Sequence, residues 1–414
     1  MKIAVIGSGI SGLSAAYYLS QKHEVDLLEQ NNHFGGHAYT LDINYEQTKN
    51  IAVDIGFMVF NKQTYPNLIN FFLENNVDIE ESDMSFSVSV KGSNIEYCGN
   101  GISGIFSNKS NIFNISFMKM FFEIISFYSK CDKLNPDKFA HYTLGDYLKE
   151  IKISEYFINF HIIPMVSAIW SMPPYESAQM PLNFFISFFK NHGLFKLVNR
   201  PQWYTVKGRS KTYVDTILKK ISGQCFSNCK IKSVQRVQSK INIIFEHAIE
   251  VGHYDKVVMA THADETLKLI EQPTEEEVQI LKNFNYRSNM AVIHSDEKMM
   301  PLNKKAWSSW NSSMNINNLG VTSVTYWLNQ LQNLNINKNI FLTINPLEKI
   351  SEEKIFKKVD FTHPYYDQNA LQYQNQLETI QNKKNILFCG SYFGYGFHED
   401  GIKSSLDMLK SIND

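Results

Sequence analysis

Three glycines follow a short apolar run at the start of the chain, in a spacing that suits phosphate binding. Residues 2–6 read Lys-Ile-Ala-Val-Ile, and the next glycines are Gly7, Gly9 and Gly12. The first permits a tight turn from strand to helix, the second leaves room for a phosphate at the backbone, and the third lets the helix pack closely on the sheet. The pattern predicts a βαβ unit that binds the pyrophosphate of a dinucleotide.

A carboxylate stands where such a unit contacts the sugar. Glu29 closes the next apolar run, about 20 residues after the first glycine, and from this position an acid accepts hydrogen bonds from the adenosine ribose. The unpaired amides of the helix N-terminus favour a bound anion, while the acid would repel a 2′-phosphate. The predicted cofactor contacts of this unit are Gly7, Gly9, Ile10, Ser11, Gly12, Glu29 and Gln30.

Two further glycine-containing segments follow the acid. Residues 33–37 read His-Phe-Gly-Gly-His, and residues 53–57 read Val-Asp-Ile-Gly-Phe. Here the chain resembles the flavin-containing amine oxidase and phytoene desaturase superfamily, in which a second glycine pair and an Asp-x-Gly strand lie beside the flavin. That family usually carries arginine or lysine around the second glycine pair. His33 and His37 at these positions imply weaker or pH-dependent binding of the pyrophosphate. The contacts that the resemblance implies are Gly35, Gly36, His37, Gly56 and Phe57.

The end of the chain shows a related pattern. Residues 385–390 predict a buried strand that ends in glycine, and residues 401–409 predict a helix entered through glycine. In the resembling family this strand, loop and helix close the FAD site, and the helix N-terminus points at the flavin edge that gains negative charge on reduction. The implied contacts are Gly390, Ser391, Gly401 and Ile402, with serine where the family commonly has an acid. No Cys or His lies in a recognisable flavin-linkage motif, so FAD is expected to bind non-covalently.

A narrower resemblance covers nearly the whole chain. The segments that carry it are 53–61, 64–68, 82–86, 168–171, 191–194 and 396–401. They are similar to a bacterial group of predicted NAD/FAD-binding oxidoreductases, like the flavin domain fused to some cyclopropane-fatty-acid synthases. The resemblance implies FAD and, by association, a lipid or fatty-acyl substrate.

Catalytic candidates are the polar aromatic residues expected at strand ends near the flavin. In flavin dehydrogenation N5 of the flavin takes a hydride, so the protein positions the C–H bond and handles a proton. The candidates are Tyr392, Tyr395, His398 and Trp170, with Trp203 and Tyr204 as further aromatic residues. The alternative for each of them is packing with a satisfied polar tip. Amine oxidases often place a lysine near N5, and no lysine of this chain matches it.

Composition excludes several classes of protein. The chain has 414 residues with 43% apolar and 20% charged residues, which predicts two globular domains. A net charge of −1 produces no positive electrostatic field that would attract nucleic acid. Five cysteines without metal spacing predict free thiols and no metal site, in a cytoplasmic protein. No apolar run reaches the roughly 18–20 residues that span a bilayer.

The separated cofactor segments predict a discontinuous α/β fold. We expect a Rossmann-type FAD-binding domain and a mixed α+β substrate domain, arranged as in amine oxidases. The predicted boundaries are 1–64, 205–262 and 375–414 for the FAD-binding domain, and 65–204 and 263–374 for the substrate domain. The predicted elements are a β-meander at 230–250, a hairpin at 86–98, strands within 285–345 and helices within 111–160 and 175–198.

Phenylalanine is concentrated in segments 111–127 and 184–195, in excess of one buried stripe. Core packing explains this pattern, and so does an apolar tunnel or a peripheral contact with a membrane. The nearby lysines that would suit anionic head groups are Lys119, Lys130, Lys190 and Lys196. The predicted function is dehydrogenation of a hydrophobic small molecule. The alternatives are an amine oxidase, with aromatic walls and a small polar cavity, and a redox-neutral flavin-dependent isomerase.

Overall fold

The structure is a computed structural model that describes residues 1–46, 49–99, 101–139, 141–246 and 251–412. These residues form twenty β-strands and fifteen α-helices. The strands are β1 (Lys2–Ile6), β2 (Glu24–Leu28), β3 (Thr40–Glu46), β4 (Lys49–Asp54), β5 (Phe60–Asn61), β6 (Ile79–Ser82), β7 (Phe86–Lys91), β8 (Glu96–Cys98), β9 (Trp203–Val206), β10 (Cys225–Phe226), β11 (Ile231–Val237), β12 (Lys240–Phe245), β13 (Val251–Tyr254), β14 (Lys256–Met259), β15 (Asn285–His294), β16 (Trp310–Asn315), β17 (Asn318–Trp327), β18 (Phe341–Ile344), β19 (Ile355–Tyr365) and β20 (Ile386–Phe388). The helices are α1 (Ile10–Leu19), α2 (Pro66–Glu74), α3 (Gly101–Ile105), α4 (Ile115–Lys133), α5 (Leu144–Glu150), α6 (Glu155–Phe157), α7 (Ile163–Trp170), α8 (Pro174–Gln179), α9 (Leu182–Asn191), α10 (Ser210–Leu218), α11 (Ala263–Leu269), α12 (Glu275–Leu281), α13 (Leu328–Leu331), α14 (Gln368–Gln374) and α15 (His398–Lys410).

A five-stranded parallel sheet with the order β10-β2-β1-β14-β20 carries the glycine motif. Residues 3–5 of β1 are fully buried, as expected for a strand covered on both faces of a parallel sheet. The crossover helix α1 connects β1 to β2. The other strands come from residues 225–226, 256–259 and 386–388, so the sheet joins segments that are far apart in sequence. This confirms the predicted α/β class with a discontinuous Rossmann-type domain.

A seven-stranded mixed sheet, in the order β19-β15-β18-β17-β16-β7-β8, forms the second half of the molecule. β16 and β7 run parallel, and the remaining neighbours run antiparallel. The strands predicted within 285–345 and the hairpin predicted at 86–98 all belong to this sheet. β19 is a strand that we did not predict, because it lies at the sheet edge, carries several charged residues and is mostly half-buried or exposed.

Three smaller strand groups complete the architecture. The predicted meander is present as the antiparallel order β11-β12-β13 and continues to Tyr254, while residues 247–250 lie outside the described residues. The Tyr254 hydroxyl donates to Asp26 Oδ2 at 3.0 Å and so attaches the meander to β2. β3 pairs with β4, and β9 lies between β5 and β6.

The helical lobe comprises α4 to α9 and is more interrupted than its sequence indicates. We predicted helix across 111–160, but α4 ends at Lys133 and α5 starts only after Thr143. Thr143 and Asp146 cap the start of α5 reciprocally, which favours a new helix at this point.

The prediction of helix across 175–198 was also too long. α9 ends at Asn191, and Gly193 has a φ of +63°, the left-handed conformation in which helices commonly end. Residues 192–198 are therefore not helical. Among the described helices, none is both long enough and apolar enough to cross a bilayer.

The two Phe-rich segments differ in their packing. All four phenylalanines within residues 184–189 of α9 are buried in the core. α4 buries Phe117 and Phe127 but leaves Phe122 exposed. The phenylalanines of α9 are therefore all buried, whereas α4 buries only one face.

Candidate functional site

The first glycine loop is shaped by its backbone and is open above Gly9. Gly7 has a φ of +97°, and a Cβ built on it would lie 2.7 Å from the carbonyl oxygen of Ala260. A Cβ on Gly9 would meet no atom within 4 Å. Gly9 is also the N-cap of α1 and offers no side-chain cap, so the first amides of α1 remain available to an anion. A Cβ on Gly12 would collide with the Gly7 carbonyl, which explains the third glycine.

Glu29 is buried and accepts four hydrogen bonds, two of them from Ser8 in the glycine loop. Its Oε2 accepts from Ser8 N at 3.0 Å and from Ser8 Oγ at 2.6 Å. Its Oε1 accepts from Asn31 N at 2.9 Å and from Asn31 Nδ2 at 2.8 Å. A ribose hydroxyl would have to replace one of the two side-chain donors, while both backbone donors stay in place. Sequence reasoning missed Ser8 and Asn31, and it placed a contact at Gln30, whose side chain is exposed.

The second glycine pair packs directly on the first loop. Gly35 and Gly36 have φ values of +112° and +58°, and a Cβ on Gly36 would lie 2.9 Å from the Cα of Gly9. The Gly35 amide donates to Ser8 Oγ at 3.1 Å. The next residue, His37, is half-buried, and its Nε2 is buried without a hydrogen-bond partner in the described structure. An unpaired nitrogen is therefore buried beside the predicted pyrophosphate position.

Aromatic rings and other histidines surround His37. Its ring centroid lies 5.1 Å from that of Phe361, 5.3 Å from that of His363 and 6.5 Å from that of His262. Burial lowers the pKa of His37 well below its ordinary value, and the neighbouring histidines lower it further. Burial also lowers the pKa of His363 to about 4. His37 is thus neutral near neutral pH and supplies a ring nitrogen where the resembling family supplies a positive charge.

The Asp-x-Gly segment supports the second loop. Asp54 accepts from Ser210 N and Ser210 Oγ, each at 2.9 Å, at the first residue of α10. A Cβ on Gly56 would clash with the His37 carbonyl, and the Phe57 amide donates to that carbonyl at 2.6 Å. Burial raises the pKa of Asp54. The segment therefore orders the loop that carries His37 and joins it to α10.

The C-terminal helix begins earlier than predicted and packs on the N-terminus of α1. α15 starts at His398, three residues before the predicted Gly401. A Cβ on Gly401 would lie 2.7 Å from both Ile10 Cγ2 and Ser11 Oγ, so the starts of the two helices lie side by side. Ile402 is fully buried behind this contact. The predicted contacts at residues 10, 11, 401 and 402 thus come together.

Two acids that we did not predict hold this helix start. Glu399 accepts from Asn67 N at 3.1 Å and from Leu68 N at 3.0 Å, and so caps α2. Asp400 accepts from the Phe397 amide at 2.9 Å, and burial raises its pKa to about 6. Both acids lie in the segment 396–401 that carried the narrower resemblance, which was the available signal.

The strand-end loop before this helix is closed by local bonds. The Gly390 amide donates to Ser404 Oγ at 2.9 Å. The Ser391 carbonyl accepts from the amides of Gly394 and Gly396 at 3.1 and 3.2 Å. The loop thereby returns towards α15 within a few residues.

The structure separates the catalytic candidates. The His398 ring stacks on Phe57 with centroids 3.7 Å apart, and its Nε2 lies 3.3 Å from the Tyr213 hydroxyl. Burial lowers the pKa of His398 to about 3. Tyr392 packs instead against Phe284 and has an unpaired, buried hydroxyl. Trp203 and Tyr204 lie on β9 beside β5.

Trp170 and Tyr395 belong to one set of rings, which we call the aromatic cluster, and are joined there through Phe184 and Phe188. Its members are Trp170, Phe184, Phe188, Tyr366, Tyr395 and Phe397. Ring centroids lie 4.6 Å apart for Trp170 and Phe188 and 4.9 Å apart for Phe184 and Tyr395. The indole nitrogen of Trp170 and the hydroxyl of Tyr366 have no hydrogen-bond partner in the described structure. The cluster joins the helical lobe to the loop before α15.

An ion pair between buried Glu176 and the partly exposed Arg287 lies at the edge of the aromatic cluster. Arg287 donates to Glu176 Oε1, which also accepts from the Tyr175 hydroxyl at 2.6 Å, whereas Glu176 Oε2 has no partner. A cavity of about 10 Å³ lies between Trp170, Glu176, Arg287 and His363, which is room for one water at most. The described residues hold no cluster of three or more metal-ligating side chains.

The comparisons with known proteins agree with this architecture. Residues 5–74 match the family of NAD(P)-binding Rossmann-like domains, and no curated protein matches the sequence. A putative protoporphyrinogen oxidase from Exiguobacterium sp. 255-15 superposes with a TM-score of 0.69 at 15% identity, covering 99% of this chain and 98% of that one.

Two other solved structures are similar. One is a CLA-producing fatty acid isomerase from P. acnes, with a TM-score of 0.65, 14% identity and coverage of 99% of this chain and 97% of that one. The other is a cyclohexylamine oxidase from Brevibacterium oxydans, with a TM-score of 0.66, 13% identity and coverage of 100% and 99%. The chain therefore shares the fold of these proteins over its whole described length, and its residues 5–74 match a Rossmann-like domain family.

Proposed function

We propose that this chain is an FAD-dependent oxidoreductase that dehydrogenates a hydrophobic substrate, with a fatty-acyl or other lipid chain as the substrate class. The observation that carries the proposal is the position of the aromatic cluster. Its rings, Trp170 and Tyr395 among them, pack against the loop that leads into α15, and in this fold that loop closes the cofactor site. When bound, FAD would supply a hydride acceptor at N5.

The residues around the glycine loops fit the phosphate and ribose half of FAD. The open space above Gly9 and the uncapped start of α1 suit the pyrophosphate. Glu29 lies at the ribose position with two exchangeable side-chain donors. The buried, unpaired Nε2 of His37 offers a further contact. We infer that FAD binds without a covalent bond, because no Cys or His of the sequence lies in a recognisable flavin-linkage motif.

The substrate half fits an apolar chain better than a charged one. The aromatic cluster contains no charged side chain, and each CH₂ group buried against such rings contributes roughly 0.8 kcal/mol to binding. The unpaired Trp170 nitrogen and Tyr366 hydroxyl could orient the polar end of the substrate. In this account the cluster positions the reacting C–H bond and excludes water.

An amine oxidase is the second candidate, favoured by aromatic walls beside a small polar cavity. The unpaired Glu176 oxygen at that cavity would accept a hydrogen bond from an ammonium group. Arg287 already neutralises Glu176, however, and a neutral pair attracts a cation weakly. The Glu176–Arg287 pair therefore gives an amine no electrostatic advantage over the acyl substrate.

An anaerobic panel tests the proposal. The purified yellow protein is mixed without oxygen with fatty acids of several lengths, with primary amines and with NAD(P)H, and flavin absorbance and products are followed. We expect bleaching by long-chain lipids and release of FAD into the supernatant on acid denaturation. Bleaching by amines alone would establish the second candidate, and turnover of lipids without bleaching would establish an isomerase. Flavin retained in the acid precipitate would contradict non-covalent binding.

A further inference from the structure

The outward side of α4, together with the turn before it, exposes large apolar side chains. We call this the α4 face, and its members are Ile112, Phe113, Ile115, Phe122 and Ile125. Phe113 and Ile115 are 88% and 85% exposed, and Phe122 is 62% exposed. The opposite side of the same helix buries Phe117, Met120 and Phe127. Single exposed apolar residues are ordinary, but a contiguous group of this size marks a surface that contacts something.

Lysines surround and interrupt the α4 face. Residues 109–133 contain four lysines against two acids, in a chain whose net charge is −1. Lys119 stands between Ile115 and Phe122 in sequence and is 63% exposed. The acid nearest to it, Glu123, is only 17% exposed and accepts from Ser154 N at 3.0 Å. The charge that the face presents outward is therefore mainly positive.

The inner side of the helical lobe connects this surface to the aromatic cluster. Phe127 of α4 packs on Phe185 of α9, with ring centroids 6.4 Å apart. The neighbouring residues Phe184 and Phe188 of α9 belong to the aromatic cluster. One layer of helix thus separates the α4 face from the candidate substrate position.

We propose that the α4 face docks on a membrane surface that contains anionic lipids. Phe113, Ile115 and Phe122 would lie at the boundary between head groups and acyl chains, while Lys119 would extend its amine to the phosphates. A second copy of the chain fits less well, because a symmetric contact would bring the lysines of both copies together. This surface is distinct from the cofactor site and does not depend on the proposed chemistry.

Vesicle co-sedimentation of the purified full-length protein tests this proposal. The vesicles are phosphatidylcholine with and without phosphatidylglycerol, at low and high salt. We expect binding to the anionic vesicles that weakens with salt, and a loss of about tenfold or more in the double variant Phe113→Asp with Phe122→Asp. Lys119→Glu should weaken binding to anionic vesicles alone.

Controls separate docking from folding and from self-association. Leu73→Asp places one aspartate at an exposed apolar residue away from the α4 face, 71% exposed on α2, and should bind vesicles like the unmodified protein. Thermal melts and flavin content of the double variant should be unchanged, which also keeps this test apart from the proposed activity. The proposal is overturned if the unmodified protein does not sediment with anionic vesicles. It is also overturned if the double variant abolishes a dimer, seen by size exclusion, and leaves vesicle binding intact.

Discussion

The candidate site has two halves that are built in different ways. We call the part around the glycine loops the phosphate half and the part around the aromatic cluster the ring half. Around Gly9 the site is made of backbone, with glycines at positive φ and a helix start that no side chain caps. Around Trp170 the site is made of side chains, and their rings close on one another at centroid distances near 5 Å. Backbone geometry keeps its shape without a ligand, whereas apolar rings bury each other when no ligand separates them.

This difference predicts different roles for neighbouring residues. A change in the phosphate half should alter cofactor affinity at a fixed geometry. A change in the ring half should alter how far the rings separate, and hence which substrates enter. Residues that only support either half should affect the free energy of unfolding and nothing else.

The largest expected effect concerns two adjacent phenylalanines of α9. Phe185 is fully buried against Phe127 and Phe189, outside the aromatic cluster, so Phe185→Ala should lower the free energy of unfolding by about 3–5 kcal/mol. Phe184→Ala opens the cluster instead and should change the dependence of substrate affinity on chain length. Thermal melts and flavin perturbation titrations of both variants distinguish the two roles. Equal effects of the two variants on both quantities would remove the distinction between core and cluster.

Next in size is the loss of the Glu29 charge. In Glu29→Gln, an amide NH₂ group replaces one of the two acceptor oxygens. The Ser8 or Asn31 donors that face this oxygen then lose their partner. We expect FAD affinity to fall by about 1.5–3 kcal/mol. Titration of FAD into apoprotein measures this, and Asn31→Ala, which retains the carboxylate, serves as the milder control. Unchanged affinity would mean that Glu29 does not bind the ribose.

A matched pair of glycine variants sharpens the comparison within the first loop. Gly12→Ala places a methyl group against the Gly7 carbonyl, which should destabilise the fold by about 1–3 kcal/mol. Gly9→Ala meets no atom within 4 Å and should leave the melting temperature unchanged while weakening FAD binding. If Gly9→Ala bound FAD as well as the unmodified protein, the space above Gly9 would not be the pyrophosphate position.

The smallest expected effect is on the pH dependence of stability. Burial lowers the folded-state pKa of His363 to about 4, so between that value and about 6.5 the unfolded chain binds a proton that the folded chain does not. Stability from this group is fully present above pH 6.5 and is lost as the pH falls towards 4. His363→Asn should lower the slope of unfolding free energy against pH by at most about 1.4 kcal/mol per unit in this window. Denaturant unfolding at a series of pH values checks it, and an unchanged slope would contradict the account.

Sequence patterns predicted best those parts of the molecule that depend on the backbone. Strand β1, the glycine loop and strand β20 follow from apolar runs that end in glycine, because these signals are local. Among the residues that we missed, Ser8 and Glu399 form hydrogen bonds to partners that the fold brings close. Asn31 and Asp400 instead bond to near neighbours in sequence, Glu29 and Phe397. Their residue types are common and carry no spacing of their own.

The catalytic candidates show the same limit. Tyr392, Tyr395 and His398 lie close together in sequence, but the turn at residues 391–396 sends their side chains into three different environments. Conversely, Trp170 and Tyr395 are far apart in sequence and belong to one cluster. Proximity of aromatic rings is a tertiary property, since α9 is placed against the C-terminal loop by the whole core.

Substrate affinity as a function of acyl-chain length tests the central claim most directly. The measurement is a flavin perturbation titration of the holoprotein with saturated fatty acids of increasing length. If the aromatic cluster opens to receive an apolar chain, affinity should rise by about 0.8 kcal/mol, or roughly fourfold, for each added CH₂ until the space is filled. An affinity that does not change with chain length would contradict the lipid substrate and favour the amine oxidase.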